Sequence, residues 1–385
     1  MEGVGPVQEH TYTVPYPTTT ATVKVWDSEG SSTEKSVVIN VHGWHTYAVD
    51  LDKQSGVNAH LAVVGGVPAI CYGSSLSEQI KYVTAIDVER YLWNEPVIIA
   101  NVNPDTAYAD FAIISGKPAV SYFDDSDQSI KYVSAKYPDG SEWNSPVVAA
   151  APGDISKRTS ICEIEGFPAL AFRGGVTGKL YFARANDSDG TTWPTPTAIV
   201  SSADVFYPSM AVVDGRPAIA FLDNLAHKTK YIISDDALGN TWPFPQIVGS
   251  PGEASSMVRL KEIAGKPCIA FLQESTKNLL FIVGLIPEGT EWNEAVTIYG
   301  NAEVKNTFHF SVIGQEVWML FQTSVVNPSG PRVCKASIWN LDSWSTPYLL
   351  SEGGNIGSLV GFEGEPIVAF QGVDRELRLF FGYFG

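Results

Sequence analysis

GVPAICY, from Gly66 to Tyr72, is the first of seven similar segments that recur along this chain of 385 residues. Most copies have a glycine, a variable residue and a proline, followed by a short apolar run that ends in an aromatic residue. The copies are GVPAICY from Gly66, GKPAVSY from Gly116, GFPALAF from Gly166, GRPAIAF from Gly215, GKPCIAF from Gly265, the degenerate GQEVWMLF from Gly314 and GEPIVAF from Gly364. The glycines are 50, 50, 49, 50, 49 and 50 residues apart. A period of about 40 to 50 residues built from short strands is typical of β-propeller blades.

Each repeat is predicted to contain four strands. The first precedes the glycine, as in HLAVV from His60, and the second follows a turn formed around Gly-x-Pro. The third is represented by IKYVSA from Ile130, and the fourth by SPVVAA from Ser145. Five tryptophans lie 27 residues after their glycine, namely Trp93, Trp143, Trp193, Trp242 and Trp292, whereas Trp339 and Trp344 flank that position in the sixth repeat. We expect these rings to wedge between adjacent blades. The predicted fold is therefore all-β, a seven-bladed propeller of four-stranded blades.

The seventh repeat ends at ELRLFFGYFG, before a fourth strand. The run KSVVINV from Lys35 resembles a fourth strand with no blade before it. Pairing this run with the last blade would close the ring and remove exposed sheet edges. The sequence thus predicts an N-terminal extension or hairpin over residues 1–34 and a propeller over residues 35–385.

Composition restricts the classes of partner and the compartment. The formal charge of −17 and the pI near 4.7 disfavour binding to nucleic acid or anionic membranes. The start of the chain, MEGVGPVQEHTYTV, has no basic region followed by an apolar one, so no signal peptide is predicted, and no run approaches the length of a membrane span. The four cysteines have no CxxC spacing, and Cys71 and Cys268 lie in apolar strands, so buried thiols are favoured over disulfides.

Four connections between third and fourth strands read Gly-x-x-Trp, from Gly140, Gly190, Gly239 and Gly289. This pattern resembles the Asp-box of sialidase-like (BNR) propellers, Ser/Thr-x-Asp-x-Gly-x-x-Trp. The position of the aspartate is occupied here by Pro138, Ser188, Ala237 and Pro287, while acids follow one place later at Asp139, Asp189 and Glu288. The resemblance implies a turn of similar shape. That family uses an arginine triad in catalysis, but the arginines of this chain do not fall at matching positions, so no catalytic residues are predicted.

The segment from His10 to Val41 resembles the C-terminal half of a PKD-type immunoglobulin-like domain, with a Thr/Val-rich strand, an acidic turn and a second strand. That family is typical of exported surface proteins, so the resemblance implies an extracellular or cell-surface setting as part of a longer exported protein. A cytoplasmic location is expected if the chain is complete. The alternative interpretation is a simple β-hairpin made by TATVKVWD and SVVINV.

Acidic residues recur shortly before the predicted first strands. They are Asp105, Asp154, Asp204, Glu253 and Glu303, spaced 49, 50, 49 and 50 residues apart. Such spacing predicts a partial ring of carboxylates near the channel mouth, where carboxylates can bind a hard cation such as calcium. The simpler interpretation is a set of solvated loop acids inherited by duplication. No other cofactor is predicted.

Polar residues also recur six places before each glycine. They are His60, Asp110, Ser160, Ser209, Arg259 and Ser358, with Phe308 as the one apolar member. Side chains of different chemistry at one repeated position are expected where several blades build one binding pocket. Polar residues at strand starts that face water in the channel would give the same pattern. These residues are the candidate ligand-binding set.

Three hypotheses for function follow. The leading one is a non-enzymatic extracellular module, expected to be monomeric, that recognises a carbohydrate or a protein surface. The binding surface would be the loop face of the propeller, where the connections from second to third strands and from fourth to first strands gather around the channel. The second is a glycoside hydrolase or lyase of sialidase-like architecture that uses scattered loop acids. The third is a purely structural unit of a larger surface protein.

Overall fold

A computed structural model describes residues 18–26, 30–40, 43–87, 92–151, 155–175, 177–249, 255–273, 275–300, 304–324 and 328–383. These residues form seven antiparallel sheets with four successive strand positions each, together with a separate two-stranded hairpin. The first strand of every sheet lines a central channel. The predicted seven-bladed, all-β propeller is thereby confirmed.

The strands follow one another outward from the channel in each blade. Blade 1 contains β4 (Ser55–Val64), β5 (Val67–Ser74), β6 (Gln79–Asp87) and an outer position shared by β7 (Leu92–Trp93) and β8 (Val97–Asn101). The short helix α1 (Pro104–Ala107) leads to blade 2, which contains β9 (Asp110–Ile114), β10 (Lys117–Asp124), β11 (Ser129–Ser134) and β12 (Val147–Ala150). Blade 3 contains β13 (Ile155–Ile164), β14 (Phe167–Gly174), β15 (Leu180–Arg184) and β16 (Thr197–Val200). Blade 4 contains β17 (Val205–Val213), β18 (Arg216–Asp223), β19 (Lys228–Ile233) and β20 (Gln246–Ile247).

The remaining blades repeat this order. Blade 5 contains β21 (Ser255–Ile263), β22 (Lys266–Gln273), β23 (Leu279–Val283) and β24 (Val296–Tyr299). Blade 6 contains β25 (Val304–Ile313), β26 (Glu316–Thr323), β27 (Gly330–Ser337) and β28 (Tyr348–Leu349). Blade 7 contains β29 (Asn355–Phe362), β30 (Glu365–Gln371), β31 (Leu377–Tyr383) and, as its outer strand, β3 (Gly43–Asp50).

An N-terminal strand closes the ring, but it is not the predicted one. β3 pairs with β31 from Gly43–Tyr383 to Asp50–Leu377. The predicted run from Lys35 instead belongs to β2 (Ser32–Asn40), which pairs with β1 (Thr18–Trp26) as the hairpin of the alternative interpretation. The proposed division after residue 34 falls inside β2. Both β2 and β3 contain a short run of strand-favouring apolar residues, so the pattern alone did not distinguish which one pairs with the last blade.

The recurring glycines lie in two-residue turns between first and second strands. In six blades both turn residues have positive φ and the second is glycine, as in Ser115 (φ 47°) and Gly116 (φ 74°). This conformation suits the twist of a hairpin and favours glycine. The proline was expected in the turn, but it is the second residue of the following strand, as Pro118 is in β10. In blade 6 the glycine, Gly314, stands first in the turn, because Ile313 pairs with Glu316.

The hydrophobic core is divided among the interfaces between blades. The described residues form seven apolar clusters, and each joins two adjacent blades. One of them joins the last blade to the first, with Leu379 and Phe381 of β31 packed with Ile70 and Tyr72 of β5. Burial of apolar surface at all seven interfaces therefore stabilises the closed ring rather than any single blade.

The tryptophans fill these interfaces as predicted: Trp93 packs on the cluster between blades 7 and 1, and five others pack against an aromatic ring of the preceding blade. The pairs and their centroid distances are Tyr82–Trp143 at 5.3 Å, Tyr132–Trp193 at 5.4 Å, Phe182–Trp242 at 5.1 Å, Tyr231–Trp292 at 5.6 Å and Phe281–Trp344 at 5.3 Å. In blade 6 the wedge is thus Trp344, whereas Trp339 is 77% exposed.

The Gly-x-x-Trp turns share a hydrogen bond in which the tryptophan Nε1 donates to the glycine carbonyl over 2.7–2.9 Å. In blade 3 the Asp187 carboxylate also accepts from the backbone N–H groups of Thr191 and Thr192. Asp236 does the same for Asn240 and Thr241 in blade 4. These two acids lie three residues before the glycine, and the relation to the Asp-box stays a prediction.

All four cysteines are free, and Cys71, Cys268 and Cys334 are buried, which confirms the prediction of buried thiols. Burial raises the pKa of the Cys268 thiol to about 12, so it stays protonated at neutral pH. Within the described part of the chain, no helix has both the length and the apolar character required to cross a membrane.

Candidate binding site in the central channel

The predicted ligand-binding residues meet in one place. His60, Asp110, Ser160, Ser209, Arg259 and Ser358 all line a central channel of about 350 Å³, one from each of six blades. Each lies four residues before the end of the first strand, so the strand register places them at one level of the channel. We call this level the channel ring.

Blade 6 contributes His309 to the channel ring, not Phe308. His309 lies four residues before Ile313, which pairs with Glu316 across the turn, just as Arg259 lies four residues before Ile263. Phe308 points away from the channel into the core between blades 5 and 6. Counting from the glycine misplaced the residue by one, because Gly314 occupies the first rather than the second turn position.

Side chains of the channel ring also join neighbouring blades. Five of them accept a hydrogen bond from the backbone N–H that follows the ring residue of the next blade. These contacts run from Ile161 N to Asp110 Oδ2 (3.0 Å), Met210 N to Ser160 Oγ (3.0 Å), Leu260 N to Ser209 Oγ (3.0 Å), Leu359 N to His309 Nδ1 (3.4 Å) and Leu61 N to Ser358 Oγ (2.5 Å). The last of these crosses the closure between blades 7 and 1. Arg259 has no acceptor and cannot make such a bond.

His60 and Asp110 form a pair in the channel ring. Their Nδ1 and Oδ1 atoms are 3.5 Å apart, and the two side chains are 25% and 24% exposed. Burial lowers the pKa of His60, the carboxylate of Asp110 opposes this shift, and the guanidinium of Arg259 adds to it. His60 is therefore favoured as a neutral imidazole beside a carboxylate.

The opposite side of the channel is cationic. Arg259 and Lys261 are two residues apart on β21, so both side chains point into the channel. Burial lowers the pKa of Arg259 to about 10, with a further decrease from Arg158 that Asp110 opposes. Burial also lowers the pKa of Lys261, as does the neighbouring Arg259. Arg259 thus disfavours the charge on Lys261, while Arg259 keeps a pKa that leaves it charged at neutral pH.

Tyr108, Arg158 and Tyr207 form an aromatic and cationic group at the channel mouth. Each lies two places in the sequence before the channel-ring residue of its blade. The Cζ atom of Arg158 is 4.6 Å from the ring centre of Tyr108 and 4.8 Å from that of Tyr207, so it contacts one tyrosine from each neighbouring blade. Tyr108 and Tyr207 have positive φ values of 41° and 51°. In β17 this coincides with a register shift between Phe206 and Ser209, and such bulges redirect side chains.

These mouth residues were not predicted from the sequence, although a signal was present. Asn58, Tyr108, Arg158 and Tyr207 recur 50, 50 and 49 residues apart, the same spacing as the repeats. Because the first strand runs from the loop face to the turn, residues two places before the channel ring must lie nearer the mouth. Lys261, two places after Arg259, was missed in the same way.

Only two of the five acids predicted to form a ring, Asp105 and Asp204, lie among the described residues. Asp154, Glu253 and Glu303 lie outside the described residues. Asp105 lies in α1 and accepts from Ser75 Oγ at 3.1 Å, while Asp204 pairs with Arg173 over 2.7 Å. Among the described residues, no three side chains of His, Cys, Asp or Glu are grouped so as to hold a metal ion. The calcium hypothesis therefore stays a prediction.

Similarity to known proteins is confined to the fold. No protein-family model matches the chain. No curated protein matches its sequence significantly. A crystal structure of the polysaccharide lyase Uly1 has a TM-score of 0.58 at 11% identity, covering 89% of this chain and 99% of that one. BBS1N, solved in complex with ARL6DN, gives 0.58 at 10% identity, covering 89% and 98%. Dihydro-heme d1 dehydrogenase NirN gives 0.51 at 10% identity, covering 95% and 71%.

Proposed function

We propose that the chain is a non-enzymatic, extracellular and monomeric binding module, and that it holds a carbohydrate at the mouth of the central channel. The observation that carries this proposal is the group of Tyr108, Arg158 and Tyr207 above the polar channel ring. Aromatic rings offer flat apolar faces, and the arginine and ring side chains offer hydrogen bonds to hydroxyl groups.

The shape of the site favours a small ligand or the end of a chain over a flat protein surface. The channel has a volume of about 350 Å³, which is within the usual range of small-ligand pockets. Its wall is already ordered, because the side chains that face it also hydrogen-bond adjacent blades. A preformed site loses little conformational entropy on binding. A protein partner would require a broad complementary face around the mouth.

A glycan array followed by titration calorimetry tests the proposal. We expect Tyr108→Ala and Tyr207→Ala each to weaken binding of any glycan identified by about tenfold or more, because each removes a contact surface at the mouth. Trp339→Ala is the matched control, since Trp339 is an exposed aromatic residue on a turn between third and fourth strands, away from the loop face. Equal losses in all three variants, or no glycan bound at all, would contradict a carbohydrate site at the mouth.

An enzymatic function is the second candidate, and the His60–Asp110 pair is the observation that favours it. A neutral imidazole beside a carboxylate, with Arg259 in the same channel, has the elements of a general base and an electrostatic stabiliser. A hydrolase of the usual type needs two carboxyl groups, and Asp110 is the one carboxylate among the described residues that line the channel. Incubating a bound polysaccharide with the protein separates the candidates, because a binding module leaves its chain length unchanged.

A further inference from the structure

We infer that the ligand of the channel carries an anionic group, a carboxylate, sulfate or phosphate, which binds against Arg259 and Lys261. This inference rests on the proposed function and names the chemical class of its ligand. It follows from where the chain places its cations and from what surrounds them.

The channel has a positive wall in a strongly acidic protein. The whole chain has 42 acidic and 25 basic residues, yet the described residues lining the channel include Arg158, Arg259 and Lys261 against Asp110 alone. Both oxygens of Asp110 already accept backbone hydrogen bonds, from Phe111 and Ile161. One carboxylate against three cations leaves positive charge in the channel uncompensated.

Three other cations with little exposure have carboxylate partners in this structure. Lys230 is 2.7 Å from Asp223, Lys81 is 2.8 Å from Asp52, and Arg173 is 2.7 Å from Asp204. Within the described part of the chain, neither Arg259 nor Lys261 has a carboxylate within 4.0 Å or a hydrogen-bond acceptor. Two like charges on one face of a strand repel each other, and a bound anion would relieve that repulsion.

The chemistry of the wall suits an oxyanion. The guanidinium of Arg259 has a planar fork that matches the oxygens of a carboxylate, sulfate or phosphate, and the ammonium of Lys261 adds a point charge. Serine and imidazole side chains of the channel ring lie at the same level and can complete the hydrogen bonding. Enclosure by the channel wall reduces screening by salt compared with a surface site.

Matched sugars and variants of the full chain test the inference by titration calorimetry in a buffer low in chloride. The probes are glucose, glucuronate, glucose 6-sulfate and glucose 6-phosphate, with inorganic sulfate and phosphate alone. We expect at least one anionic sugar to bind about tenfold or more tightly than glucose, and the three sugars show which oxyanion is preferred. Arg259→Gln and Lys261→Gln should each reduce that affinity by a further factor of about ten or more.

Lys266→Gln is the matched control, because Lys266 is exposed on the same hairpin as Lys261. Its replacement changes the net charge by the same amount as Lys261→Gln. Thermal unfolding of each variant checks the fold, and removing one of two repelling charges should not lower stability. Equal affinity for glucose and all three anionic sugars would overturn the inference, as would equal losses in Lys261→Gln and Lys266→Gln. Binding of neutral glycans at the mouth without an anion preference refutes only this inference. Anions that bind in the channel when no glycan binds refute only the carbohydrate function.

Discussion

His309 shows how one side chain of the channel ring is held in a single protonation state. Its Nδ1 accepts the backbone N–H of Leu359, which requires a neutral ring. Burial lowers its pKa well below the ordinary value of 6.5, and Lys261, Arg259 and His60 lower it further. Asp110, the carboxylate that lines the same channel, lies beside His60. Protonation of His309 would therefore add a charge to a positive wall and break a contact between blades.

This environment makes stability depend on pH in a defined direction. Well above pH 6.5 the imidazole of His309 is neutral in both the folded and the unfolded chain. As the pH falls below 6.5, the unfolded chain binds a proton that the folded chain excludes, so the free energy of unfolding decreases. We expect a loss of up to about 2 kcal/mol from this group between pH 7 and pH 5. Urea unfolding of His309→Gln, which keeps an acceptor, should show a smaller decrease than the wild type.

His227→Asn is the control for that measurement. His227 is exposed in a turn with φ of 50°, a conformation that asparagine tolerates. Its replacement should leave the pH dependence as it is in the wild type. An equal pH dependence in His309→Gln and in the wild type would show that His309 is protonated freely in the folded state.

The sequence predicted which positions of the blades line this site, but not which contacts their side chains make. Repeat spacing was enough to bring His60, Asp110 and Arg259 to one channel, because equal spacing in equal blades means equal depth. It could not show that Ser160 and Ser209 would use their oxygens to join blades, since the acceptor and its N–H donor are about 50 residues apart. Arg158 and Lys261 were missed although their positions carried a signal, since Arg158 follows the repeat spacing and Lys261 lies two places after Arg259 on the same strand.

Among the elements, the Gly-x-x-Trp turn is the unit that joins one blade to the next. In blade 3, Gly190 has φ of +67°, and a Cβ atom at this position would lie 2.3 Å from Cε1 of Tyr132 in blade 2. Trp193 packs against the same tyrosine. The absent side chain at Gly190 is therefore what allows the tyrosine and tryptophan to meet.

Two alanine substitutions separate the steric effect from the backbone effect. Gly116 has a similar φ of +74°, and a Cβ atom at this position would meet nothing within 4 Å. Gly116→Ala should lower the free energy of unfolding by about 1–2 kcal/mol, the cost of a left-handed conformation. Gly190→Ala should lower it by about 1–3 kcal/mol more, because the tyrosine must move. Chemical denaturation measures both, and equal losses would mean that the contact with Tyr132 relaxes without cost.

Strand prediction from the sequence was accurate for the repeats and inaccurate at the closure. Seven copies at one period reinforce each other, so β5, β10 and their equivalents were recognised together. The closing strand occurs once, and β2 and β3 both have a strand-like pattern. The pairing of β3 with β31 depends on the contacts of Trp44 with Trp318 and Phe380, which bring together parts of the chain far apart in sequence.

For the whole molecule, closure is the step that completes the seven interfaces. Tyr47 and Val49 of β3 pack on the cluster between blades 7 and 1, and Trp44 packs on the cluster between blades 6 and 7. The Asp50 carboxylate accepts from the buried hydroxyl of Tyr72 at 2.6 Å. Loss of β3 would therefore affect two interfaces, leave Tyr72 without this acceptor and expose the edge of β31.

Two truncations test this role. A chain of residues 43–385 keeps β3 and should have the oligomeric state of the full chain and nearly the same free energy of unfolding of the propeller. A chain of residues 51–385 should lose about 3–5 kcal/mol of unfolding free energy, because Trp44, Tyr47 and Val49 are partly buried in the full chain, and should associate through the exposed edge. Urea unfolding and size-exclusion chromatography measure the two effects. Similar behaviour of the two chains would show that β3 contributes little to closure.

The hydrogen bonds of the channel ring limit how its recognition chemistry can change. At positions 110, 160, 209, 309 and 358 a replacement must keep an acceptor of suitable reach, or two blades lose a contact. Positions 60 and 259 do not need an acceptor. The N–H of Phe111, which follows the ring residue of the blade after His60, donates to Asp110 instead, and the arginine at position 259 can only donate. A designer who wished to give this scaffold a new specificity would therefore randomise residues 60 and 259 first and leave the other five unchanged.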